Sequence, residues 1–332
     1  MKATKTKGKA SASFHFKNDG DDGTLGDYLA FWDRYKDSLT NYRRPPCLKT
    51  VSSNQGGKKG ETNQRPTTML LGIFTMDSVK DARRRKTIRK TWISHNRTTK
   101  GTSAKRIICS LQEWIENPDG CQLAYAFVLG GNPKGPTELL EYNSSFPMSI
   151  PCRLQHTNDQ EDTSDIICLN IRENMEEGKS QTWFKYATTT TVPQQHEQND
   201  NFDYIGKMDS DTLLYPGIFF NRVLQKLPKY PNNARVYGGD YRFKPPNMVG
   251  PVYMGGHLYF LSSDLAEFVV SSECPRSAVD KGIEDASIGN FVHSHPLPIR
   301  RIRLRTSEFE HPVKRVDRYR TLWRKYQARQ KK

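Results

Sequence analysis

Asp209-Ser210-Asp211 carries the residue types and spacing most suited to chemistry in this chain. Two carboxylates one residue apart, after the strand-like run Phe202–Met208, can hold a divalent cation at the rim of a sheet. Such a cation can clamp a diphosphate, and in open α/β sheets ligands lie outside the carboxyl ends of the strands. Asp-x-Asp is also common in ordinary turns, so the tripeptide has to be judged by what positions it. A second acidic pair, Glu284-Asp285, opens a segment in which Ile288, Phe291 and Val292 share a helical face. By themselves these read as plain first-turn acids, whose ionised form the helix macrodipole favours.

The elements around these acids alternate between strand and helix. Met69–Thr75 reads as a buried first strand. Ser78-Val79-Lys80-Asp81 is a capping pattern opening a helix through Trp92, with Ile88 and Trp92 on its inner face. Leu123–Leu129 is a second strand and Asp165–Leu169 a third, with Phe184–Ala187 in the helix that follows. Tyr215-Pro216 starts another helix, its apolar stripe Phe220, Val223, Leu224 and Leu227 ending before Pro228. Then come the glycine-rich runs Tyr237–Asp240 and Tyr253–Leu261 and a helix over Asp264–Val269. This order predicts an α/β fold with a mainly parallel, doubly wound sheet.

The 332 residues, 35% of them apolar, are enough for one large α/β domain or two small ones. Residues 1–66 are polar and expected to be largely disordered, apart from a short helix within 24–40. The ordered domain spans 67–325, and 326–332 is a basic tail. The net charge is +15, and from Ile299 onward thirteen Lys/Arg stand against three Asp/Glu. No nucleic-acid-binding motif accompanies that charge, so no nucleic-acid partner is expected. No apolar run reaches the roughly 18 residues of a membrane span, and no secretory signal is seen. Asn96-Arg97-Thr98 and Asn143-Ser144-Ser145 are glycosylation sequons. Of six cysteines, Cys109 and Cys121 are spaced to bridge a short loop; otherwise all six are buried thiols.

The order of segments resembles the β-1,3-galactosyltransferase and fringe family of inverting glycosyltransferases, glycosyltransferase family 31. Arg85–Trp92 is similar to its Arg-x-x-Ile-Arg-x-Thr-Trp helix, and Phe127–Gly130 to its second strand. Asp165-Ile166-Ile167 and Glu173–Lys179 stand in its Asp-Ile-Ile and Asn-Leu-Thr-x-Lys region, although Glu173-Asn174-Met175 departs from that pattern. Lys207–Asp211 resembles the metal motif. Gly255-Gly256 with Leu258 and Tyr259, then Glu284–Gly289, resemble the acceptor-side motifs.

The resemblance implies a GT-A (Rossmann-like) nucleotide-sugar-binding fold, a UDP-hexose donor, a glycan or glycoprotein acceptor, and Mn2+. It also implies a Golgi lumen or Golgi membrane address, for which this sequence shows no anchor. Asp285 takes the role of general base. Asp211, with Asp209, and His311 take that of metal ligands; His293 and His295 follow Asp285 too closely for it. Thr75, Arg89, Lys207, Ser210, Gly255, Gly256 and Glu284 fall on the donor and substrate side, Arg89 chiefly structural and Lys207 near the phosphates or the acids. Two readings from other classes are a metal-dependent phosphoesterase and a non-catalytic basic binding protein that kept the fold.

Overall fold

The computed structural model describes residues 66–94, 107–118, 120–137, 147–155, 161–174, 178–189, 202–230, 232–242, 253–271, 284–295 and 297–330. The helix expected within 24–40, both sequons, Cys47 and Cys274 lie outside them.

A nine-stranded sheet organises the chain. Its centre is parallel: β6 (Tyr204–Asp209), β1 (Met69–Phe74), β3 (Leu123–Gly130) and β5 (Ile166–Leu169) lie side by side in that order. β2 (Ile108–Ser110) pairs with the first half of the β3 edge that β5 pairs with further on. β4 (Ser149–Ile150) closes that side antiparallel to β5. On the other side β9 (Tyr253–Ser262) runs antiparallel to β6 and to β8 (Val236–Arg242), and β10 (Arg300–Arg303) pairs parallel to β8. The expected mainly parallel sheet is present, with two antiparallel joints around β9.

Both faces of this sheet are buried, which is why β1 is apolar throughout rather than alternating. Leu70 and Phe74 point into one core. There they meet Trp114 of α2 (Leu111–Glu116), Trp183 and Phe184 of α3 (Lys179–Thr189), Val269 of α5 (Ser263–Val270), and Ile288 and Phe291 of α6 (Glu284–His293). Met69, Leu71 and Ile73 point into the other core. It holds Ile88 of α1 (Val79–Ile88), Phe219 of α4 (Pro216–Arg222), and Tyr319, Trp323 and Tyr326 of α7 (Val316–Gln330). Gly72 lets the indole of Trp183 lie on β1: a Cβ there would fall 2.4 Å from its ring.

Helix α1 starts as its sequence dictates, with the Ser78 side chain accepting from Asp81 N. A wider turn over Arg89–Ile93 continues it and carries Trp92 into the core, where its indole donates to Tyr319 Oη at 3.0 Å. Three expectations need correction. The helix expected through Leu227 stops at Arg222, because the backbone turns at Val223 and resumes as a single 3-10 turn over Leu224–Lys226. The apolar stripe survives the break, since Val223, Leu224 and Leu227 are all buried. The boundary at 325 falls inside α7, which runs to Gln330 because Tyr326 is buried and accepts from Gly217 N at 3.0 Å. The third strand begins at Ile166; Asp165 is instead held by Arg89 and Tyr125.

Two disulfides tie the β3–β5 side of the sheet, Cys109–Cys121 across the α2 loop and Cys152–Cys168 onto β5. The first is the spacing marked in the sequence; the second joins residues that no local pattern pairs. Among the described residues no helix is long and apolar enough to cross a membrane.

Candidate active site at the carboxyl end of β6

Strand β6 delivers Lys207 and Asp209 to the sheet's upper rim, and the turn after it presents Asp211. Ser210 is buried inside that turn: its N–H donates to Phe74 O at 3.0 Å and its hydroxyl to Asp81 Oδ1 at 3.3 Å. The turn is thereby pinned to β1 and α1. His311 reaches it through a two-stranded ribbon, β7 (Leu213–Leu214) against β11 (Phe309–Glu310), and Val313 N donates to Asp211 O at 2.8 Å. His311 Nε2 then stands 3.3 Å from Asp211 Oδ1. One ligand atom each from Asp209, Asp211 and His311 lies within 4.8 Å of the others. Two carboxylate oxygens and an imidazole nitrogen form a donor set suited to Mn2+ or a similar divalent ion. Burial works against the Asp211 charge, but the His311 ring beside it holds its carboxyl below the ordinary value.

Across from this group, the β8–β9 ladder opens. Gly239 pairs with Tyr259 and Tyr241 with Met254, so Asp240 alone faces Gly255–Leu258. The Gly256 peptide groups serve the site. Its N–H donates to Asp285 Oδ2 at 2.7 Å, and its carbonyl accepts from Lys207 Nζ at 2.6 Å. The absent Cβ makes room for this contact, since a Cβ would sit 2.3 and 2.4 Å from the Asp285 oxygens and push them aside. Gly255 is buried beside it in the same arch.

Lys207 joins the two acidic groups. Its buried ammonium lies 2.8 Å from Asp209 Oδ1 and 3.9 Å from Asp285 Oδ1, over the Phe74 ring at 5.2 Å. Burial disfavours this charge, but Asp209, Asp285 and Glu284 outweigh it and raise the Lys207 pKa above its ordinary value. Asp285 keeps 25% of its side chain exposed. The expectation that a helix start favours its ionised form is corrected: burial dominates and pushes the Asp285 carboxyl up, against the pull of Lys207. A raised pKa makes a carboxylate a stronger base once ionised.

No family model matches the chain, and no curated protein matches it. Among solved structures it is similar to one described as the crystal structure of a glycosyltransferase involved in the glycosylation of the major capsid of PBCV-1. The identity is 14% over 73% of this chain and 83% of that one, with a TM-score of 0.30.

The remaining residues marked in the sequence are placed away from any open surface of the site. Thr75 is buried, its hydroxyl accepting from Arg85 Nη1 at 3.2 Å and its carbonyl from Lys179 Nζ at 3.0 Å. Arg89 is engaged by Asp165 at 2.8 and 2.7 Å and by Glu161 at 2.9 Å. Glu284 is buried and accepts from Ser180 N at 2.6 Å, an anion at the start of α3. Glu284 adds to the field at Lys207, whereas Arg89 belongs to a separate cluster with Asp165 and Glu161.

His257 had drawn no notice in the sequence. It is 5% exposed, and its ring stacks on His311 with centroids 4.7 Å apart and planes at 15°. Its carbonyl accepts from the Thr212 hydroxyl at 2.9 Å, fixing the residue after Asp211. A histidine directly after the two glycines of a strand was the available signal, but its partner lies on the distant ribbon.

Proposed function

We propose that the protein is an inverting hexosyltransferase of GT-A type. It moves a sugar, galactose or N-acetylglucosamine, from a UDP-sugar to a hydroxyl of a glycan or glycoprotein acceptor. The observation that carries this reading is Lys207: one buried ammonium 2.8 Å from Asp209 and 3.9 Å from Asp285, so that a cation-type donor set and a carboxylate base flank one side chain.

Transfer with inversion makes two demands on the protein. The bond from the anomeric carbon to the diphosphate oxygen must break with its electron pair leaving on the diphosphate. On the opposite face a new carbon–oxygen bond forms as the acceptor hydroxyl loses its proton. Asp285 receives that proton; the Gly256 N–H orients it, and its raised pKa suits the task. Asp209, Asp211 and His311 would hold Mn2+, which when bound supplies positive charge to the leaving diphosphate. Lys207 keeps Asp209 and Asp285 from repelling each other before substrate arrives.

Two disulfides among the described residues support an oxidising compartment such as the Golgi lumen. A phosphoesterase with paired metals is less well supported, since the described residues hold one three-ligand group. The test is a panel of UDP-sugars with Mn2+, scored for UDP release with and without candidate acceptor glycans. Mn2+-dependent release that rises with one acceptor is expected; no consumption of any donor sinks the reading.

A further inference from the structure

Helices α1 and α7 come from opposite ends of the described chain and lie side by side on one face of the sheet. Ile88 and Trp92 from one, and Tyr319, Trp323 and Tyr326 from the other, share a core. The Trp92 indole donates to Tyr319 Oη at 3.0 Å, and Arg84 Nη2 donates to Lys314 O at 3.2 Å. With their apolar sides turned inward, both helices present cations to water. On α1 and the turn that continues it the exposed row is Lys80, Arg83, Lys86 and Lys90, spaced to share one helical face. On α7, Arg320 and Arg324 lie one turn apart along one edge of the outer face, and Lys325 and Arg329 along the other.

None of these side chains makes an ion pair among the described residues. The acids nearby are already committed. Asp81 is buried against Arg84, Arg315 holds Asp317 at 2.7 Å, and Arg318 holds Glu310 at 3.1 Å. Stable surfaces intersperse both signs, and like charges four apart on a helix repel. A face of unanswered cations drawn from two separate segments fits a partner that brings many negative charges.

The chemistry of the face and the compartment narrow that partner. Val79 is the only exposed large apolar side chain described on either helix, so no apolar stripe is offered to a bilayer. Anionic lipid faces the cytoplasm, whereas the two disulfides support an oxidising compartment. The same compartment sets nucleic acid aside. Arg83, Arg320, Arg324 and Arg329 carry planar forks that match the paired oxygens of a carboxylate or sulfate. The α7 cations extend over about 14 Å, room for a run of sugars rather than one charged group.

We propose that the outer face of α1 and α7 docks a polyanionic glycan, a chain with carboxylate or sulfate groups on successive sugars. Helix α1 follows the carboxyl end of β1, and the segment leading into α7 carries His311, so the face begins at the rim of the candidate active site. The surface stands whether or not the protein transfers sugar.

Binding of a fluorescent heparin oligosaccharide to the full chain tests this, first at about 0.1 M NaCl and then with rising salt. One variant combines Lys80→Gln, Arg83→Gln, Lys86→Gln and Lys90→Gln; a second combines Arg320→Gln, Arg324→Gln, Lys325→Gln and Arg329→Gln. A charge-matched control combines Lys134→Gln, Lys226→Gln, Lys229→Gln and Arg300→Gln, exposed cations elsewhere. Thermal unfolding as in wild type shows that a variant is folded, and either face variant alone carries the test. The expected result is binding that weakens with salt, falls at least about tenfold in each face variant and changes less than about threefold in the control. No binding by wild type, or losses as large in the control as in the face variants, overturns the proposal. Tighter binding of phosphatidylserine vesicles, or of a DNA duplex of matched charge, overturns the glycan as the occupant. The transferase reading is tested separately by the UDP-sugar panel.

Discussion

Arg85 and Arg89 meet Glu161 and Asp165 beside β3, two guanidinium groups against two carboxylates. Arg85 grips Glu161 through two bonds of 2.8 Å, Arg89 grips Asp165 at 2.8 and 2.7 Å, and the Tyr125 hydroxyl completes Asp165 at 3.0 Å. At the end of β6, by contrast, the Lys207 ammonium is surrounded by Asp209, Asp285 and Glu284, with Asp211 on the same turn. Both clusters are largely buried and both cross-tie strands and helices. They differ in balance: the first is closed on itself, and the second has one ammonium for four carboxylates. An excess of buried negative charge is expensive unless something positive joins it. The closed cluster is architecture, and on the proposed transferase reading the unbalanced one would take the cation.

On the proposed transferase reading, removing Asp285, its proton acceptor, from the unbalanced cluster should produce the largest effect. Asp285→Asn keeps an oxygen for the Gly256 N–H but cannot take a proton. Turnover of the preferred donor should fall about 10²–10⁴-fold, with thermal stability and Mn2+ affinity little changed. A loss under tenfold would remove Asp285 from the reaction.

Breaking the closed cluster should do the reverse. Arg89→Met leaves Asp165, 5% exposed, without its guanidinium partner. Denaturant unfolding should show a loss of about 3 kcal/mol, while Mn2+ affinity stays at the wild-type value. A variant that lost metal binding at full stability would erase the distinction between the two clusters.

Gly256→Ala probes how tightly the unbalanced cluster is built. The new Cβ falls within 2.4 Å of the Asp285 carboxylate, whose flexible end can swing aside. Stability should drop by about 1–3 kcal/mol, and kcat should fall more than the donor KM rises, since the base moves and the metal group does not. An unchanged kcat would show that the Gly256–Asp285 contact does not orient the base.

The same contrast explains what the sequence made legible. β1, β3, β6 and α1 announce themselves through buried apolar runs and a side-chain cap, all local signals, and Asp209-Ser210-Asp211 stood out because it ends such a run. The β2–α2 unit also carried a local signal that went unread, the capping box between Ser110 and Glu113. α7 was obscured by its charge, although Tyr319, Trp323 and Tyr326 follow the i, i+4, i+7 spacing of a buried face. Cross-chain pairings were beyond any local pattern. Nothing near Arg85 names Glu161, and nothing near Gly256 names Asp285 or His311. His257 acquires its role only because the β7–β11 ribbon brings His311 against it.

The smallest effect sharpens the comparison through the sign of a pH dependence. Burial opposes the Glu161 charge, but Arg85 and Arg89 override it and hold its carboxyl below the ordinary value of about 4.3. Its contribution to stability is therefore present above that value and lost as pH falls through the depressed folded pKa. For Glu284 burial prevails over Lys207 and the Ser180 N–H, and its carboxyl is raised. The folded state then holds a proton that the unfolded chain releases, so its contribution is present below about 4.3 and lost as pH rises through the folded pKa. Unfolding free energies of Glu161→Gln and Glu284→Gln, measured against pH, should depart from wild type in opposite directions. Glu161→Gln should flatten the acid-side decline. Glu284→Gln should gain on wild type as pH increases, because it keeps an acceptor for Ser180 without a buried charge. Departures of the same sign would mean that both clusters are balanced alike, and the case for a cation beside Lys207 would lose its electrostatic basis.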